Sequence, residues 1–537
     1  VLQISTAIDG TREGVLMGAG VATQTVDAEG TSPSLVVFDD ASSRRRTTFD
    51  VSLVGIVVAG LLFGALATAV AFRLPPLFGA DERPHLSYVA SLTSGQLPTL
   101  DDPLPADDER FRIISAPADG GDPQRAGPVF FVAHHPPLYY AVVAGPVWLS
   151  THVGPNAPAL MMRLLNVTFM SLGVMAIGWS AAQMFPSRAR QVGTLAAALM
   201  AVTATAVGNA ALGYNDGLAV LLVATSLGLM ARVMRFGPSG PLVGVAAGLA
   251  AASFLTRAAL FPVVGGLALA VLVGAWRHRR DRWLVRGVIA ASIVPLAAFV
   301  TSGWFYLRNV RLYGNPTGAG YAAEELGRTT HRSLGDVLFD YQHHKRMWRR
   351  LFGHVPDQYV EHPQASWLVL GLVLVVLFGG ALGLWRWWRG RDVQSRATEE
   401  PVENTLGLGG LVFAGYAVAA IVSVADYVQQ GGGQHGRYYL VVLPLVCATV
   451  ARAIVELPFR RWVALLTFGA ILTVTIRQLR RYDGLVAWKR GGGGSGLLFD
   501  GQMVGSSAQW TAVILAGVAC VVVAAIVLYT LRPAPRT

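Results

Sequence analysis

The sequence predicts an all-α integral membrane protein, and three observations carry that prediction. Of the 537 residues, 53% are hydrophobic and only 14% charged. Apolar runs of about 20 residues, long enough to cross a bilayer as helices, recur along the chain. Arginines gather at the ends of those runs rather than spreading over a surface. The formal charge of +11 therefore reads as orientation in a membrane and not as nucleic-acid binding. Lysine occurs only at Lys345 and Lys489. With abundant Ala, Gly and Val, that composition points to a GC-rich bacterial origin. Cys447 and Cys520 both fall inside apolar runs, so no disulfide framework or cysteine metal site is available.

Residues 1–50 are rich in Gly, Thr, Ser and Asp without an apolar period and read as a disordered tail. Arg44, Arg45 and Arg46 close it, which places the tail in the cytoplasm and the far end of the first span (51–72) outside. A long outer loop, 73–162, follows. It opens with GADERPHLSYVASLTSGQLP, Gly79 to Pro98, and continues through a stretch rich in Asp, Pro and Gly. The run VAHHPPLYYAVVAGPVWLS, 132–150, is short for a span and opens on two prolines. The charges after the next span require it to enter and leave on one face, so a re-entrant or interfacial helix is expected.

From Arg163 the pattern becomes regular. Spans are expected at 163–185, 191–209, 215–235, 241–256, 258–276 and 284–303. A second outer segment, 304–365, comes next. Further spans follow near 366–386, 405–425, 438–456, 461–477 and 510–531, giving about twelve with both termini inside. A basic, Gly-rich loop at 478–509 separates the core, 51–477, from the last span and tail, 510–537. That loop breaks the inside-positive pattern, because Arg477, Arg480, Arg481, Lys489 and Arg490 fall outside. GGGGSG from Gly491 reads as a flexible linker. No internal repeat is visible, which speaks mildly against inverted-repeat transporters.

Chemistry is expected first at Asp81 and Glu82, two carboxylates a few residues past a span. Either could take the proton of an alcohol as its oxygen forms a new bond. The competing reading is a helix start, where acidic residues favour the dipole. Arg308 and Arg311 in YLRNVRLYGNP, Arg437 in QHGRYYLVVLP and Arg257 in SFLTRAALFP all fall at outer span ends. Guanidinium groups there match phosphate with paired hydrogen bonds. Interfacial anchoring is the alternative for each, least so for Arg257, which has little sequence to snorkel through. His135, before the Pro-Pro pair, could donate to phosphate or sugar oxygens. His85, Tyr88, Tyr139, Asn309, Asn215 and Asp216 complete the candidate substrate contacts. Asn215 and Asp216 in GYNDG also suit a plain turn. No histidine pair has zinc-site spacing. The acidic group Asp101, Asp102, Asp107, Asp108 and Glu109 could hold a divalent ion but reads better as a solvated loop.

The order of these segments resembles a known family. A span, an outer acidic pair in DERPH, then HPPLYY, then RLLN opening a span is similar to the GT-C superfamily of multi-spanning glycosyltransferases. These use polyprenyl-phosphate sugars and include protein O-mannosyltransferases and aminoarabinose transferases. GYNDG, WFYLRNVRLYGNPTG and GRYYLVVLPL also look like segments of bacterial members. The resemblance runs from about Val51 to Leu445. It implies a GT-C-like bundle and a bacterial plasma-membrane location with chemistry on the extracytoplasmic side. It further implies a polyprenyl-phosphate sugar donor and a glycan, lipid or protein acceptor, with no nucleic acid. The family's catalytic acid maps to Asp81, with Glu82 as the alternative, and its lipid-phosphate contacts to Arg308 and Arg437. Two departures stand out: no C-terminal soluble domain follows the last span, and position 83 is Arg83, so a metal-type Asp-x-Asp pair is missing. No cofactor is therefore expected, and a divalent metal is possible but not favoured. The alternative outside this class is a polytopic transporter or lipid-linked-sugar flippase.

Overall fold

The computed structural model describes residues 51–102, 111, 130–279, 282–328, 332–353, 363–394, 408–490 and 506–532. The expected tail at 1–50, the acidic residues Asp107, Asp108 and Glu109, and the GGGGSG linker lie outside the described residues. Those described are helical, with no strand among them.

The order begins with α1 (Val51–Arg73) and α2 (Glu82–Thr93), followed by α3 (Leu138–Ser150), α4 (Ala157–Met184), α5 (Ala189–Ala201) and α6 (Ala204–Ala210). Then come α7 (Asp216–Phe236), α8 (Gly240–Thr256), α9 (Phe261–Arg277) and α10 (Trp283–Tyr313). Three shorter helices, α11 (Ala319–Glu325), α12 (Leu334–Leu338) and α13 (Tyr341–Gly353), precede α14 (Pro363–Gln394) and α15 (Leu408–Gln429). The series closes with α16 (Leu443–Glu456), α17 (Arg460–Arg490) and α18 (Ser506–Thr530).

Every expected span is met by a helix, but not all are built alike. Among the described residues, nine helices are long and apolar enough to cross a membrane. A tenth crossing forms if α5 and α6, bent by 63° at their junction, count as one. The remaining two expected spans are the 17-residue α8 and the 14-residue α16. The α16 segment is shortened because GRYYLV ahead of it winds as a 3-10 turn over Gly436–Val441. Residues 132–150 form the 13-residue α3, preceded by turns. Its leading turn meets α2, and Arg163 near the start of α4 meets Glu82 in that same helix. The turn ahead of α3 and the Arg163 turn of α4 thus both contact α2.

Two boundaries need correction. The outer segment expected to start at 304 begins ten residues later, since α10 continues through WFYLRNVRLY and stops at Gly314, whose φ is +75°. Nothing in that run breaks a helix until the glycine supplies the left-handed turn. The loop expected at 478–509 is helical as far as Arg490. RQLRRYDGLVAWKR contains no proline and one glycine, so the helix of the preceding span simply propagates.

The α1–α2 corner is fixed by one guanidinium. Arg163 on α4 is fully buried. Its Nη1 donates to Ala71 O (3.2 Å) and Leu74 O (2.9 Å), and its Nη2 to Pro75 O (2.7 Å). These are carbonyls that a helix end leaves without partners. Its remaining donors reach Glu82, at 2.7 Å from Nε and 2.6 Å from Nη2. One turn along α4, Asn166 donates to the carbonyls of Asn209 and Leu212 (2.9 and 2.8 Å) and accepts from Gly217 N (2.9 Å). The RLLN motif thus staples the DERPH corner and the GYNDG turn to a single helix.

Candidate active site

Asp81 immediately precedes α2 and shows no side-chain cap bond to it. Its Oδ2 instead accepts from Arg437 Nη2 on the far side of the bundle's mouth. Both side chains are largely buried, 15% and 11% exposed. Burial raises the Asp81 pKa, but the charge and hydrogen bond of Arg437 outweigh it and hold the carboxyl below its usual 3.8. The Arg437 guanidinium lies 4.8 Å from the Tyr214 ring centre and 5.5 Å from that of Tyr438. Its Nε is buried with no hydrogen-bond acceptor. A buried guanidinium with a donor still unspent is suited to one more anionic ligand.

Arg257 enters the same cluster from the α8–α9 junction. It pairs with Asp216 at 2.6 Å and lies 5.6 Å from the Tyr438 ring centre. Two guanidinium groups therefore share one aromatic ring, each facing its own carboxylate. The sequence explains why they meet. GYNDG and LTRAAL both occupy sharp breaks between helices, and GRYYLV is the 3-10 entry to α16. All three junctions fall at the end where α1 delivers Asp81.

His85 stands one helical turn after Asp81. Its Nδ1 is 2.9 Å from the Tyr140 hydroxyl. Its ring lies parallel to that of His135, 6.4 Å between centres. Tyr140 stacks on Tyr88 at 3.8 Å, and the Tyr88 hydroxyl donates to His135 O at 3.0 Å. The result is an aromatic wall joining α2 to α3. Burial, with Arg437 and Arg257 nearby, lowers the His85 pKa to about 3. Burial likewise takes His134 to about 4 and His435 to about 4, and holds His135 well below 6.5. These imidazoles are neutral near pH 7. His135, expected among the phosphate contacts, can therefore offer a hydrogen bond there but no charge.

The other candidates are placed differently. Glu82 accepts from Arg163 through both oxygens, from Gly79 N at 3.0 Å and from Gly213 N at 2.9 Å. Its lone pairs are used within the corner, and it is 2% exposed. Arg308 donates to Leu97 O (3.2 Å) and Pro98 O (2.8 Å), keeps its Nη1 buried without a partner, and acts electrostatically on Tyr88 of the aromatic wall. It anchors the stop after α2, where Gly95 takes a left-handed φ of +78°. Arg311 is exposed and joins neither group. Asn309 donates to His134 O and Pro316 O, both at 3.1 Å, and so ties the HHPP turn to the end of α10. Asn215 is buried at the start of α7. The Tyr139 hydroxyl is buried without a partner, within electrostatic reach of Asp216 and Glu82. Asp101 accepts from Tyr321 at 2.6 Å, and Asp102 accepts from Thr99 N at 2.7 Å. No group of three or more His, Cys, Asp or Glu suited to a metal ion occurs among the described residues.

Four residues of the cluster escaped the sequence reading. The sequence does not single out Tyr140, Tyr214 or Tyr438, and marks Arg163 only as the start of a span. The only hint was adjacency: Tyr214 abuts Asn215 and Asp216, and Tyr438 abuts Arg437.

The model of glycosyltransferase family 87 matches residues 133–402. No curated protein matches the chain by sequence. Among solved structures, ArnT from Cupriavidus metallidurans bound to undecaprenyl phosphate is similar at 15% identity. Its TM-score is 0.42, over 89% of this chain and 73% of that one. AglB, the archaeal oligosaccharyltransferase of Archaeoglobus fulgidus, in complex with an inhibitory peptide and a dolichol-phosphate, gives 10% identity and a TM-score of 0.43, over 86% and 59%. A second Archaeoglobus fulgidus oligosaccharyltransferase structure, with Zn and sulfate, gives 10% and 0.41, over 80% and 55%. The chain spans less than two thirds of the length of these two archaeal proteins. The resemblance drawn from HPPLYY and RLLN is thus met by a match to a glycosyltransferase family, whose matched residues begin after DERPH.

Proposed function

The chain belongs to glycosyltransferase family 87, and we propose that it transfers a sugar at the Asp81–Arg437 mouth. The donor in this reading is a polyprenyl-phosphate sugar and the acceptor an alcohol. The observation that supports it is the convergence of two carboxylate–guanidinium pairs, Asp81–Arg437 and Asp216–Arg257, around Tyr438 at a single end of a membrane bundle. The family match favours transfer over the transporter or flippase alternative.

The acceptor oxygen attacks the anomeric carbon and its proton passes to Asp81. The carbon–oxygen bond to the lipid phosphate breaks, and the electron pair leaves on the phosphate. One base suffices for this direct displacement, which inverts the anomeric centre. Arg437, with Arg257 beside it, receives the phosphate. Asp81 and the donor then compete for the same guanidinium. As the phosphate takes Arg437, Asp81 loses the charge that depressed its pKa and becomes the stronger base when substrate is present. Arg311 is exposed and has no part in this step, whereas Arg308 keeps a buried unpaired Nη1 suited to the same phosphate. His85 and Tyr140 orient the acceptor side, and Glu82 holds the corner. The extracytoplasmic face of a bacterial plasma membrane remains the setting that best suits the arginine-rich opposite end.

Two tests follow from this geometry. Asp81 is lowered below 3.8, so the wild type keeps its base ionised throughout the neutral range, and the acid limb of kcat/KM lies beneath pH 3.8. Without Arg437, burial acts unopposed and the Asp81 pKa rises. An Arg437→Met variant should therefore lose activity at a higher pH as the medium is acidified, besides binding polyprenyl phosphate more weakly. An unmoved limb counts against Asp81 as the base. The second test concerns Gly79, where an added Cβ would lie 2.4 Å from the Tyr214 hydroxyl. Gly79→Ala displaces the ring beneath Arg437 and should raise the donor KM by about tenfold, the scale of one desolvated cation–π contact. Equal KM in both proteins would detach Tyr214 from donor binding.

A further inference from the structure

The opposite end of the bundle holds a second basic pocket that the transfer reaction does not use. α16 begins beside Arg437 and ends at Glu456, so the two ends lie about 20 Å apart along that helix. At the far end a cavity of ≈ 380 Å³ opens among Arg386, Phe459, Arg460, Arg461, Trp462 and Leu531.

Its charges are unbalanced. Arg460 Nε and Arg461 Nε both donate to the single carbonyl of Leu531, at 3.2 and 3.3 Å. One oxygen at the end of α18 therefore holds two like-charged groups side by side. Arg188, Arg386 and Arg461 all act electrostatically on Arg460, and the carboxylate among them is Glu456. That carboxylate is already taken by Arg386 at 2.8 Å and by Arg452. Arg460 and Arg461 both line the cavity, each with its Nε–H spent on the one Leu531 carbonyl. Phe459 and Trp462 flank them, 79% and 66% exposed, and Phe459 keeps a left-handed φ of +55°. A β-carbon residue holding that backbone on a surface is unusual.

We propose that this pocket binds the headgroup phosphate of an anionic phospholipid of the leaflet opposite the transfer site. Paired guanidinium groups supply the phosphate contacts. The exposed aromatic pair supplies an apolar rim of the kind found where acyl chains meet headgroups. A free phosphate offers the same charge but would leave Phe459 and Trp462 in water, so the lipid is the better fit.

The test uses the full chain purified in mild detergent and titrated with dioleoyl phosphatidylglycerol or dioleoyl phosphatidylcholine, with bound lipid counted by native mass spectrometry. The wild type should prefer the anionic lipid by about tenfold, given that each arginine near an anionic headgroup contributes several-fold. Arg460→Gln with Arg461→Gln should abolish that preference. Arg232→Gln with Arg279→Gln removes the same charge from exposed positions at the same end and should leave it intact. If the double variant at 460 and 461 fails to fold, Arg461→Gln alone should lose about threefold. No preference in the wild type, or equal loss in the Arg232 and Arg279 control, overturns the proposal. So does competition by glycerol 3-phosphate at the same concentration as the lipid, since the ligand would then be a soluble phosphate.

Discussion

Asp81→Asn is expected to lower kcat by about 10²- to 10⁴-fold, the range a positioned general base supplies, while polyprenyl phosphate binds as tightly as before or more tightly. The second half of that expectation is the discriminating one. In the wild type, Asp81 occupies Nη2 of Arg437 and leaves its Nε unpaired, so a donor phosphate must share the guanidinium with a carboxylate that repels it. An amide of the same shape competes far less for a guanidinium, and the anion site becomes more available even as the base disappears. A merely structural Asp81 gives the reverse pattern: weaker binding, a less stable protein and kcat per folded molecule close to normal. Single-turnover rates with saturating polyprenyl-phosphate sugar, beside equilibrium binding of polyprenyl phosphate alone, separate the two. A kcat within tenfold of wild type for Asp81→Asn would remove this carboxylate from the chemistry.

Glu82→Gln should fail in a different way. Its carboxylate faces a fully buried Arg163 and two backbone amides. Neutralising it leaves a guanidinium in the interior without its counter-charge, a loss of about 3–5 kcal/mol for a broken buried pair. Expression and thermal stability in detergent should drop sharply. Whatever folded protein survives should turn over at a rate of the wild-type order, because Asp81 and Arg437 remain. Arg163→Met should destabilise as much or more, since the carbonyls of Ala71, Leu74 and Pro75 also lose their donor. Joining the two as Glu82→Gln and Arg163→Met should recover only part of the stability, since those carbonyls stay unpaired. A stable but inactive Glu82→Gln protein would instead return Glu82 to the reaction.

Much of the fold was legible because a bilayer allows few solutions. Apolar runs of span length have to be helices, and the acidic pair Asp81 and Glu82 suits a helix start. Legibility failed where a helix had no local reason to end. WFYLRNVRLY and RQLRRYDGLVAWKR are polar enough to pass for loops, yet nothing in them breaks a helix. At α8, α16 and the bent α5–α6 pair the expected spans are met by helices that are short or bent, features that hydropathy does not report.

The site divides along the same line. Residue type and position past a span marked Asp81 with Glu82 as its alternative, and Arg308 and Arg437, with Arg257 and Arg311, as phosphate contacts. Hydrogen bonding is a long-range property of the folded chain, and it sorted them. Glu82 went to Arg163, 81 residues away, and Asp81 to Arg437, 356 residues away.

By itself, then, the sequence determined that this chain is a membrane bundle with acidic and basic groups gathered at the ends of its helices. That much follows from transfer free energies, which depend on one segment at a time. Which carboxylate meets which guanidinium was decided only by tertiary structure. Two adjacent acids have the same chemistry until burial gives one a permanent partner and the other a partner that an incoming phosphate can take.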